Sequence, residues 1–479
     1  MKNERPESAV KTENADASRL HLMPTGAATS WLFWITLSLG LFMAVYTPYR
    51  LWSEAAQQVD QQGLSLASVG VYFLGVLSGL LGLRWCTMLI MSYASMARGE
   101  RTLSPPCAAA LPYVSILAPA YCEATCVQDA MCALVRLDYP AYEVIFVDDG
   151  SSDNTYDLAL SFAGTHCSER GRCDVRVFTK PNQGKWSAHN YGLRHASGSL
   201  ILCIDADSRI EPGALRLMVR HMGDKRVGAV SGQIRVRNRK SLVGLFQAFE
   251  YVLANGALRL SQGATGAVMV VPGPIGLFRR EALERVQEEN ERSNSRENHK
   301  VRGPFSPLTF AEDFHLSLTM LALGYRIEYE PHAVAHTKAP ATLASLINQR
   351  YRWNRGTMQV VLWYLRRTLR GGKSPLKVKA WIAAVFLLDF SFFPPLYFVL
   401  LGSSLLYVFH GGSLSNLASW AMAACLLNVM SGSLYAVAHR DQIYLSLLSP
   451  FFDFYQGILL NCAWFIAIAD EARGAAMRW

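Results

Sequence analysis

The chain has 479 residues, of which 51% are hydrophobic, and its formal net charge at pH 7 is +9. Charged residues are concentrated at the N-terminus and in the middle of the chain, which excludes a uniformly apolar transporter and indicates a membrane protein with a sizeable soluble domain. A positive charge would also suit a nucleic-acid-binding protein, but no nucleic-acid motif accompanies it, and basic segments beside membrane helices give the same excess.

The N-terminal part of the chain predicts a tail followed by membrane helices. Residues 1–25 are polar and charged, so we expect a disordered cytoplasmic tail. Two apolar runs follow, at 31–46 and 66–91, and each is long enough to cross a bilayer core of about 30 Å. We therefore predict two transmembrane helices within 26–97. Arg98 and Arg101 follow the second run, which predicts that the tail and the next domain both lie on the cytoplasmic side.

Ten cysteines are scattered along the chain. Cys122, Cys126 and Cys132 form a cluster, but no histidine or second cysteine pair completes a tetrahedral zinc site. Buried free thiols in a reducing compartment are the simpler interpretation, which again predicts a cytoplasmic soluble domain.

Between residues 110 and 340, short β-rich runs alternate with helical stretches. Strands are predicted at 114–118, 142–147, 175–179, 200–204 and 227–236, and helices at 185–196, 212–221 and 241–260. This alternation predicts an α/β domain with a mainly parallel sheet. The strongly charged stretch 287–300 is predicted to be a surface loop.

Pairs of carboxylates follow two of these predicted strands. Asp148 and Asp149 follow one, and Asp205 and Asp207 follow another. Ligands of open α/β sheets bind beyond the carboxyl ends of the strands. The first pair can accept hydrogen bonds from a uracil N–H and from ribose hydroxyls, although a solvated turn is the alternative. The second pair can hold Mg²⁺ or Mn²⁺ together with phosphate oxygens, although the DxD pattern alone is common in unrelated proteins.

Glycine and lysine mark two further segments of the domain. Gly184-Lys185 precedes a predicted helix, where backbone N–H groups and a cation could hold a phosphate. We prefer Lys185 for the pyrophosphate side, and an ordinary exposed loop lysine is the alternative. Gly273 and Gly276 would let an acceptor sugar approach the backbone closely, and a structural turn explains either glycine equally well.

Glu312-Asp313 opens a helical stretch at 313–323. A carboxylate held there can act as a general base, and the helix dipole favours an acid at the same position for purely structural reasons.

Gln349, Arg352 and Trp353 lie in an amphipathic, interfacial stretch at 341–372, and their spacing puts them on one helix face. Arginine can bind a diphosphate and tryptophan can stack on a sugar ring. An aromatic and basic helix at the membrane surface is the alternative.

Three further apolar runs, at 380–409, 414–438 and 443–469, predict about three transmembrane helices within 378–470. Five crossings in total would leave Arg473 and Arg478 outside the cell, which conflicts mildly with the bias of basic residues toward the cytoplasm.

With these motifs in this order, the chain resembles the processive, membrane-embedded family 2 glycosyltransferases, the group that includes cellulose, chitin, hyaluronan and poly-N-acetylglucosamine synthases. The resemblance implies a GT-A type domain inserted between transmembrane helices of the bacterial inner membrane. It also implies a UDP-sugar donor, a growing polysaccharide acceptor, Mg²⁺ or Mn²⁺, and accessory membrane or periplasmic export subunits, with no nucleic acid as partner.

The resemblance assigns roles to individual residues. It implies that Asp313 is the general base and that Asp205 and Asp207 hold the metal. The residues implied to bind the nucleotide sugar are Ala120, Tyr121, Glu123, Asp148, Asp149, Lys185 and Asp205. Those implied to serve the acceptor or processivity are Gly273, Gly276, Glu312, Gln349, Arg352 and Trp353. This chain departs from the family pattern at Cys122, where asparagine is usual, and at Ala311, where threonine is usual.

Alternatives stay open for the identity of the sugar and for the mode of action. The five predicted crossings and the stretch Pro-Gly-Pro-Ile-Gly-Leu-Phe-Arg-Arg are most similar to poly-β-1,6-N-acetylglucosamine synthases, but cellulose-, chitin- and hyaluronan-type synthases share the motifs. A non-processive transferase with a lipid acceptor would need neither the Gln349, Arg352 and Trp353 pattern nor so many C-terminal crossings. An inactive transporter or receptor that keeps only the fold is opposed by the retention of every acidic position.

Overall fold

The structure is a computed structural model that describes residues 25–64, 66–102, 111–294, 303–409, 414–439 and 441–475. The tail predicted at 1–25, apart from its last residue, and the C-terminal Arg478 lie outside the described residues. Within the described ranges, long apolar helices precede and follow an α/β domain that is built on one nine-stranded sheet.

Two long helices precede the sheet, α1 (Thr25–Gln62) and α2 (Leu66–Thr102). The ring of Phe33 on α1 stacks on that of Tyr93 on α2, with centroids 4.0 Å apart. Large apolar side chains such as Trp31 and Phe73 are exposed on these helices. Contiguous exposed apolar surface of this kind marks a membrane or protein contact.

Three helical segments in the described part of the chain are long and apolar enough to cross a membrane: Ser30–Gln61, Ser78–Ala97 and Leu376–Val399. The pair Ile443–Phe452 and Tyr455–Ala472 is bent by 63° and makes a fourth span if it crosses as one. Helices that could cross a membrane therefore precede and follow the α/β domain in the chain. The arrangement with five crossings and its orientation stay a prediction.

The strands of the sheet lie in the order β3-β4-β2-β1-β5-β8-β7-β9-β6. Their bounds are β1 Val114–Ala120, β2 Ala141–Asp148, β3 Gly164–Ser168, β4 Gly171–Thr179, β5 Leu200–Cys203, β6 Arg209–Ile210, β7 Val227–Val236, β8 Gly276–Arg279 and β9 Arg326–Thr337. Strands β4, β2, β1 and β5 run parallel, whereas β8 lies antiparallel between β5 and β7. The α/β domain is confirmed, but its sheet is mixed and not mainly parallel. The short β8, which the sequence pattern does not predict, lies antiparallel in its centre, and the edge strands β3 and β6 are antiparallel to their neighbours.

Strands β1 and β2 are buried along almost their whole length. Strands covered on both faces are nearly continuous apolar runs, so the sequence predicts these two to within two residues. Strand β3 is polar and mostly exposed, and β6 has only two residues, which is why the sequence pattern predicts neither.

The helices of the domain cover the sheet and lead into the site. They are α3 Val127–Leu134, α4 Thr155–Leu160, α5 Lys185–His195, α6 Ala214–His221, α7 Leu242–Glu250, α8 Ala257–Gly263, α9 Arg280–Asn294 and α10 Glu312–Ala322. A π-helical turn, Tyr251–Gly256, joins α7 to α8 and interrupts the continuous helix predicted at 241–260.

The surface loop predicted at 287–300 is wrong for its first part, because α9 extends to Asn294. Glutamate, glutamine and arginine are good helix formers, and side chains four residues apart support the helix. Arg285 pairs with Glu281 at 3.2 Å, and Gln287 donates a hydrogen bond to Glu291 at 2.9 Å. Residues 295–300 lie outside the described part.

The C-terminal helices are α11 Leu343–Leu369, α12 Leu376–Ile382, α13 Phe393–Phe409, α14 Leu414–Ala438, α15 Ser449–Phe454 and α16 Asn461–Ala472, with π-helical turns at Ala383–Phe392 and Tyr455–Leu460 and a 3₁₀ turn at Ile443–Leu448. Helix α11 is tied to α16, because Tyr351 donates a hydrogen bond to Asp470 at 2.9 Å and Arg355 Nε donates to Glu471 at 2.7 Å. The predicted amphipathic helix is present, and its place at the membrane interface stays a prediction.

Candidate active site

Asp148 is the last residue of β2, and its side chain is buried. Its Oδ2 accepts hydrogen bonds from Thr179 Oγ1 at 2.9 Å and from the Ser151 amide at 3.2 Å. Its other oxygen, Oδ1, is buried and has no hydrogen-bond partner in the described part. Buried polar atoms are rarely left without a partner, so this oxygen is suited to accept a hydrogen bond from a ligand N–H or O–H.

Asp149 organises the loop that leads into α5. The amide of Gly184 donates to Asp149 Oδ2 at 2.8 Å, the amide of Gln183 donates to Oδ1 at 3.2 Å, and the ammonium of Lys180 forms an ion pair with the same carboxylate. These bonds fix the start of α5 and hence the position of Lys185, its first residue. The structure shows this orienting role, and direct contact of Asp149 with a nucleotide stays a prediction.

The loop after β1 is attached to the loop after β2. Ala120 O accepts a hydrogen bond from the Asp149 amide at 2.8 Å, and the Cys122 amide donates to Ser151 Oγ at 2.9 Å. The backbone of Cys122 has φ 55°, a left-handed conformation in which asparagine is favoured over most residues. The family's usual asparagine therefore suits this turn, and cysteine occupies it here. Tyr121 beside it is 53% exposed, which leaves its ring free to contact a ligand.

The expectation that the cysteines are buried holds only in part. Cys122 and Cys167 are exposed, whereas Cys126, Cys173 and Cys203 are buried, and every cysteine in the described part is a free thiol.

Lys185 and Asp205 form an ion pair, in which Lys185 Nζ lies 2.5 Å from Asp205 Oδ1. Burial alone would lower the pKa of the Lys185 ammonium, but Asp205 and Glu312 outweigh that effect and raise it, so the lysine stays charged. Gly273 closes over this pair: a Cβ at that position would lie 2.5 Å from Lys185 Nζ and 3.2 Å from both carboxylate oxygens of Asp205. The three predicted residues are therefore in direct proximity.

Asp207 and Glu123 add two carboxylates beside this pair. Asp207 Oδ1 accepts hydrogen bonds from Ser208 Oγ at 3.0 Å and from Thr337 Oγ1 at 3.4 Å. Burial and the charge of Asp205 raise the pKa of Asp207, and burial and the charge of Asp207 raise that of Glu123. The concentration of negative charge favours a bound cation.

Lys338 is a site neighbour that sequence reasoning missed. Its Nζ lies 2.7 Å from Cys126 Sγ, and its charge opposes the rise in the pKa of Glu123. Lys338 follows the end of β9 by one residue, so the only sequence signal was a lysine at the end of a strand that the pattern did not predict.

Glu312 and Asp313 begin α10, with their side chains half-buried. Asp313 Oδ1 accepts a hydrogen bond from the Phe314 amide at 2.8 Å. Burial raises the pKa of Asp313, and burial raises the pKa of Glu312 to about 7. Lys185 opposes both rises, so the lysine lies within electrostatic reach of Asp205 on one side and of this acidic pair on the other.

The family's usual threonine before Glu312 is replaced by Ala311, which provides no side-chain cap for α10. Thr309 Oγ1 instead accepts a hydrogen bond from the Ala311 amide at 3.1 Å. The turn that presents Asp313 is thereby held by a different hydroxyl.

Arg259 on α8 was also missed by sequence reasoning. Burial lowers the pKa of its guanidinium, and its positive charge opposes the rise in the pKa of Asp313. An arginine within the otherwise apolar stretch Ala257-Leu258-Arg259-Leu260 was the available signal.

Helix α11 packs against the segment that precedes α10, and this contact brings it close to the site. A Cβ on Gly356 would lie 2.7 Å from the amide nitrogen of Ala311, next to Glu312. Gln349 is half-buried, Arg352 is exposed and Trp353 is 41% exposed. The three residues lie on the helix that packs beside Glu312 and Asp313, and their contacts with substrate stay predictions.

Gly276 lies away from this cluster, inside the sheet. It starts β8 and pairs with Cys203 and with Ser231, and a Cβ there would lie 2.5 Å from Val271 Cγ1. Close packing accounts for this glycine, and its predicted role for the acceptor stays untested.

The carboxylates of Asp205 and Asp207 fit a divalent cation that retains other ligands. Mg²⁺ and Mn²⁺ prefer hard oxygen donors and bind through one or two carboxylates with phosphate oxygens and water. The described residues contain no group of three or more histidine, cysteine, aspartate or glutamate side chains placed to hold a metal. A cation here would therefore depend on phosphate oxygens of the substrate.

Comparisons with known proteins bear on the family and on the fold. Residues 115–287 match the family model described as Glycosyl transferase family 2. The chain is 32% identical over 266 residues to a poly-beta-1,6-N-acetyl-D-glucosamine synthase of Staphylococcus epidermidis, and 30% identical over 266 residues to the protein of that name from Staphylococcus aureus strain COL. Each match covers 55% of this chain and 59% of the relative, so the similarity spans little more than half of either protein.

A solved structure has the same fold. A mannosyltransferase from Pyrobaculum calidifontis, determined in complex with GDP-Man and Mn²⁺, superposes with a TM-score of 0.51 and 22% identity. The superposition covers 75% of this chain and 95% of the other chain. The predicted GT-A type fold is confirmed.

Proposed function

We propose that this protein is a processive, inverting glycosyltransferase that polymerises a β-linked exopolysaccharide, because residues 115–287 match the family model described as Glycosyl transferase family 2. The proposed donor is UDP-N-acetylglucosamine and the proposed product is a poly-β-1,6-N-acetylglucosamine. The relatives at 30–32% identity that bear the name of such a synthase support this choice of sugar.

The proposal is supported most directly by the position of Lys185. Its ammonium is paired with Asp205 at 2.5 Å, interacts with the charges of Glu312 and Asp313, and lies under Gly273. The Lys185 ammonium thus lies between two groups. One is Asp205, in the candidate site for the diphosphate and the metal, and the other is Asp313, the candidate general base. Transfer of a sugar from a nucleotide diphosphate requires these two functions side by side.

In the proposed reaction, Asp313 accepts the proton of an acceptor hydroxyl. The hydroxyl oxygen forms a bond to the anomeric carbon, and the bond from that carbon to the UDP oxygen breaks, which inverts the anomeric centre. The raised pKa of Asp313 makes it a stronger base than an exposed aspartate. Lys185 would neutralise charge on the diphosphate, while Asp148 and Asp149 would hold the nucleoside.

Asp205 and Asp207 would hold Mg²⁺ or Mn²⁺ with the donor phosphates. The metal, when bound, supplies positive charge to the leaving UDP. Ala120, Tyr121 and Glu123 would line the same pocket, the tyrosine offering its exposed ring to the base.

The acceptor would lie beside α11. Gln349, Arg352 and Trp353 would face the growing chain, with Trp353 stacking on its terminal sugar. Glu312 and Gly273 are assigned to the same side, whereas Gly276 is packed inside the sheet against Val271 and is not. The apolar helices would form the passage across the bacterial inner membrane with the catalytic domain in the cytoplasm, and accessory export subunits would receive the polymer outside.

Purified protein in lipid should be tested with UDP-N-acetylglucosamine, UDP-glucose and UDP-glucuronic acid, each with Mg²⁺ or Mn²⁺. We expect only the first donor to yield a long polymer, and a β-1,6-N-acetylglucosaminidase should degrade that polymer. Asp313→Asn should abolish polymerisation, whereas Asp157→Asn, which changes an exposed carboxylate of α4, serves as the matched control. A polymer from another donor would reassign the sugar, and one sugar transferred to a lipid would refute processivity.

A further inference from the structure

Two neighbouring side chains of α11 differ sharply in burial. Arg350 is 5% exposed, whereas Trp353 is 41% exposed. The guanidinium carbon of Arg350 lies 4.2 Å from the centroid of the Trp353 ring, which is a cation–π contact. One side of the tryptophan is thereby held by a buried cation, while much of the ring remains accessible to a ligand.

Arg350 is itself fixed by groups from two other elements. Its Nη2 donates a hydrogen bond to Glu250 Oε2 at 2.8 Å, and the hydroxyl of Tyr455 donates to the same oxygen at 2.8 Å. The ring of Tyr455 stacks on Phe246 with centroids 5.1 Å apart and an interplanar angle of 8°. The end of α7 and the turn that follows α15 therefore both determine where the arginine lies.

A buried ion pair of this kind is weak evidence for stability, because removing the two charges from water costs about as much as their attraction returns. Its clearer effect is geometric. The guanidinium is planar and forms directed hydrogen bonds, so a ring stacked on it is restricted in position. A lysine could keep the charge near Glu250, but it could not provide the same flat surface.

We propose that Arg350 is a positioning residue that holds the Trp353 ring against the acceptor sugar, with Glu250 and Tyr455 fixing the arginine. This inference rests on the proposed function, and it goes beyond it by assigning the orientation of the acceptor platform to a buried chain of contacts that ends at Tyr455. The arginine acts through the tryptophan and does not touch the donor.

The activity test is a double-mutant cycle with Arg350→Lys, Trp353→Ala and both changes together. Arg350→Lys should shorten the polymer and raise the ratio of released UDP to incorporated sugar by about fivefold, within the range that a desolvated cation–π contact supports, while KM for the donor stays unchanged. In the Trp353→Ala background, Arg350→Lys should have no further effect on length. Equal effects in both backgrounds would overturn the proposal.

Arg367→Lys is the matched control, because Arg367 lies on the same helix and its ion pair, with Glu289 at 3.0 Å, is elsewhere. Tyr455→Phe removes only the hydroxyl that binds Glu250 and should cause a smaller change in the same direction, which guards against misfolding of the lysine variant. Normal polymer length in both Tyr455→Phe and Arg350→Lys would also overturn the proposal.

A measurement without turnover separates this inference from the proposed function. The protein can be labelled with 5-fluorotryptophan, and the ¹⁹F resonance of Trp353 is assigned by its loss in Trp353→Phe. Arg350→Lys should shift that resonance, and Arg367→Lys should leave it in place. If wild-type protein makes no polymer but the shift occurs, the proposed function fails, while the finding that Arg350 positions the Trp353 ring stands. An unmoved resonance refutes the positioning role.

Discussion

Replacing Gly273 with alanine would introduce one methyl group at the Lys185–Asp205 ion pair. The added Cβ would lie 2.5 Å from Lys185 Nζ and 3.2 Å from each carboxylate oxygen of Asp205. Non-bonded atoms approach to about 3.5 Å, so the ammonium must move by about 1 Å. The ion pair, which is 2.5 Å long, would then be broken or strongly weakened.

The size of the effect follows from the contact that is lost. A hydrogen bond to a charged group contributes about 1.5–3 kcal/mol, and solvent screening favours the lower part of that range because the side chains are 36% and 25% exposed. If the displaced ammonium loses a contact of the same size with the donor diphosphate, about 1.5–2 kcal/mol, kcat/KM for the donor falls about 10- to 30-fold. The free energy of unfolding should fall by no more than about 2 kcal/mol, since the displaced atom is the end of a flexible side chain.

The assay compares kcat/KM for UDP-N-acetylglucosamine and the thermal unfolding midpoint of wild type, Gly273→Ala and Gly213→Ala. Gly213 precedes α6, and a Cβ there meets no atom within 4 Å, so this variant should behave as wild type. Wild-type turnover in Gly273→Ala would refute the placement of the glycine over a functional Lys185. A large fall in the unfolding midpoint would refute the argument that only the site is disturbed.

Four further outcomes are expected. Asp207→Asn should abolish transfer while the amount of folded membrane protein stays close to wild type, and EDTA should mimic it; full turnover in EDTA would contradict the metal assignment. Asp313→Asn should retain UDP binding in a direct titration but lose about 10²–10⁴-fold in turnover, and a parallel loss of binding would indicate a structural acid instead. Burial raises the pKa of Glu312 to about 7 and also raises that of Asp313. Protonation of this pair should therefore reduce the rate of transfer as the pH falls below neutrality. Glu312→Gln should move this fall in rate to lower pH, and an unchanged pH profile would exclude coupling of the two carboxylates. Trp353→Ala should shorten the polymer more than it slows release of UDP, since stacking contributes about 0.5–1.5 kcal/mol. Unchanged polymer length would indicate that the tryptophan only anchors the helix at the membrane interface.

The sequence alone identified the carboxylates that converge at the site, because local features mark them, but it did not identify Lys338 or Arg259. A continuous apolar run predicts a buried strand, and the residue where the run stops lies at the strand's end. Asp148, which ends β2, and Asp205, two residues after the end of β5, were located in this way. The amphipathic pattern likewise predicted the helix that carries Trp353. These inferences needed only the period of the side chains and the chemistry of carboxylates.

Only the tertiary structure decided which of these residues touch and what supports them. Arg350 and Glu250 are 100 residues apart in the chain, and Glu250 and Tyr455 are 205 apart. Such pairs depend on the order of the strands and on the packing of helices, which no local pattern specifies. The closure of Gly273 over Lys185 is set in the same way, since it requires a loop ahead of β8 to meet the first turn of α5. A local sequence pattern specifies where strands and helices end, whereas contacts between distant elements are selected by the free energy of the whole folded chain.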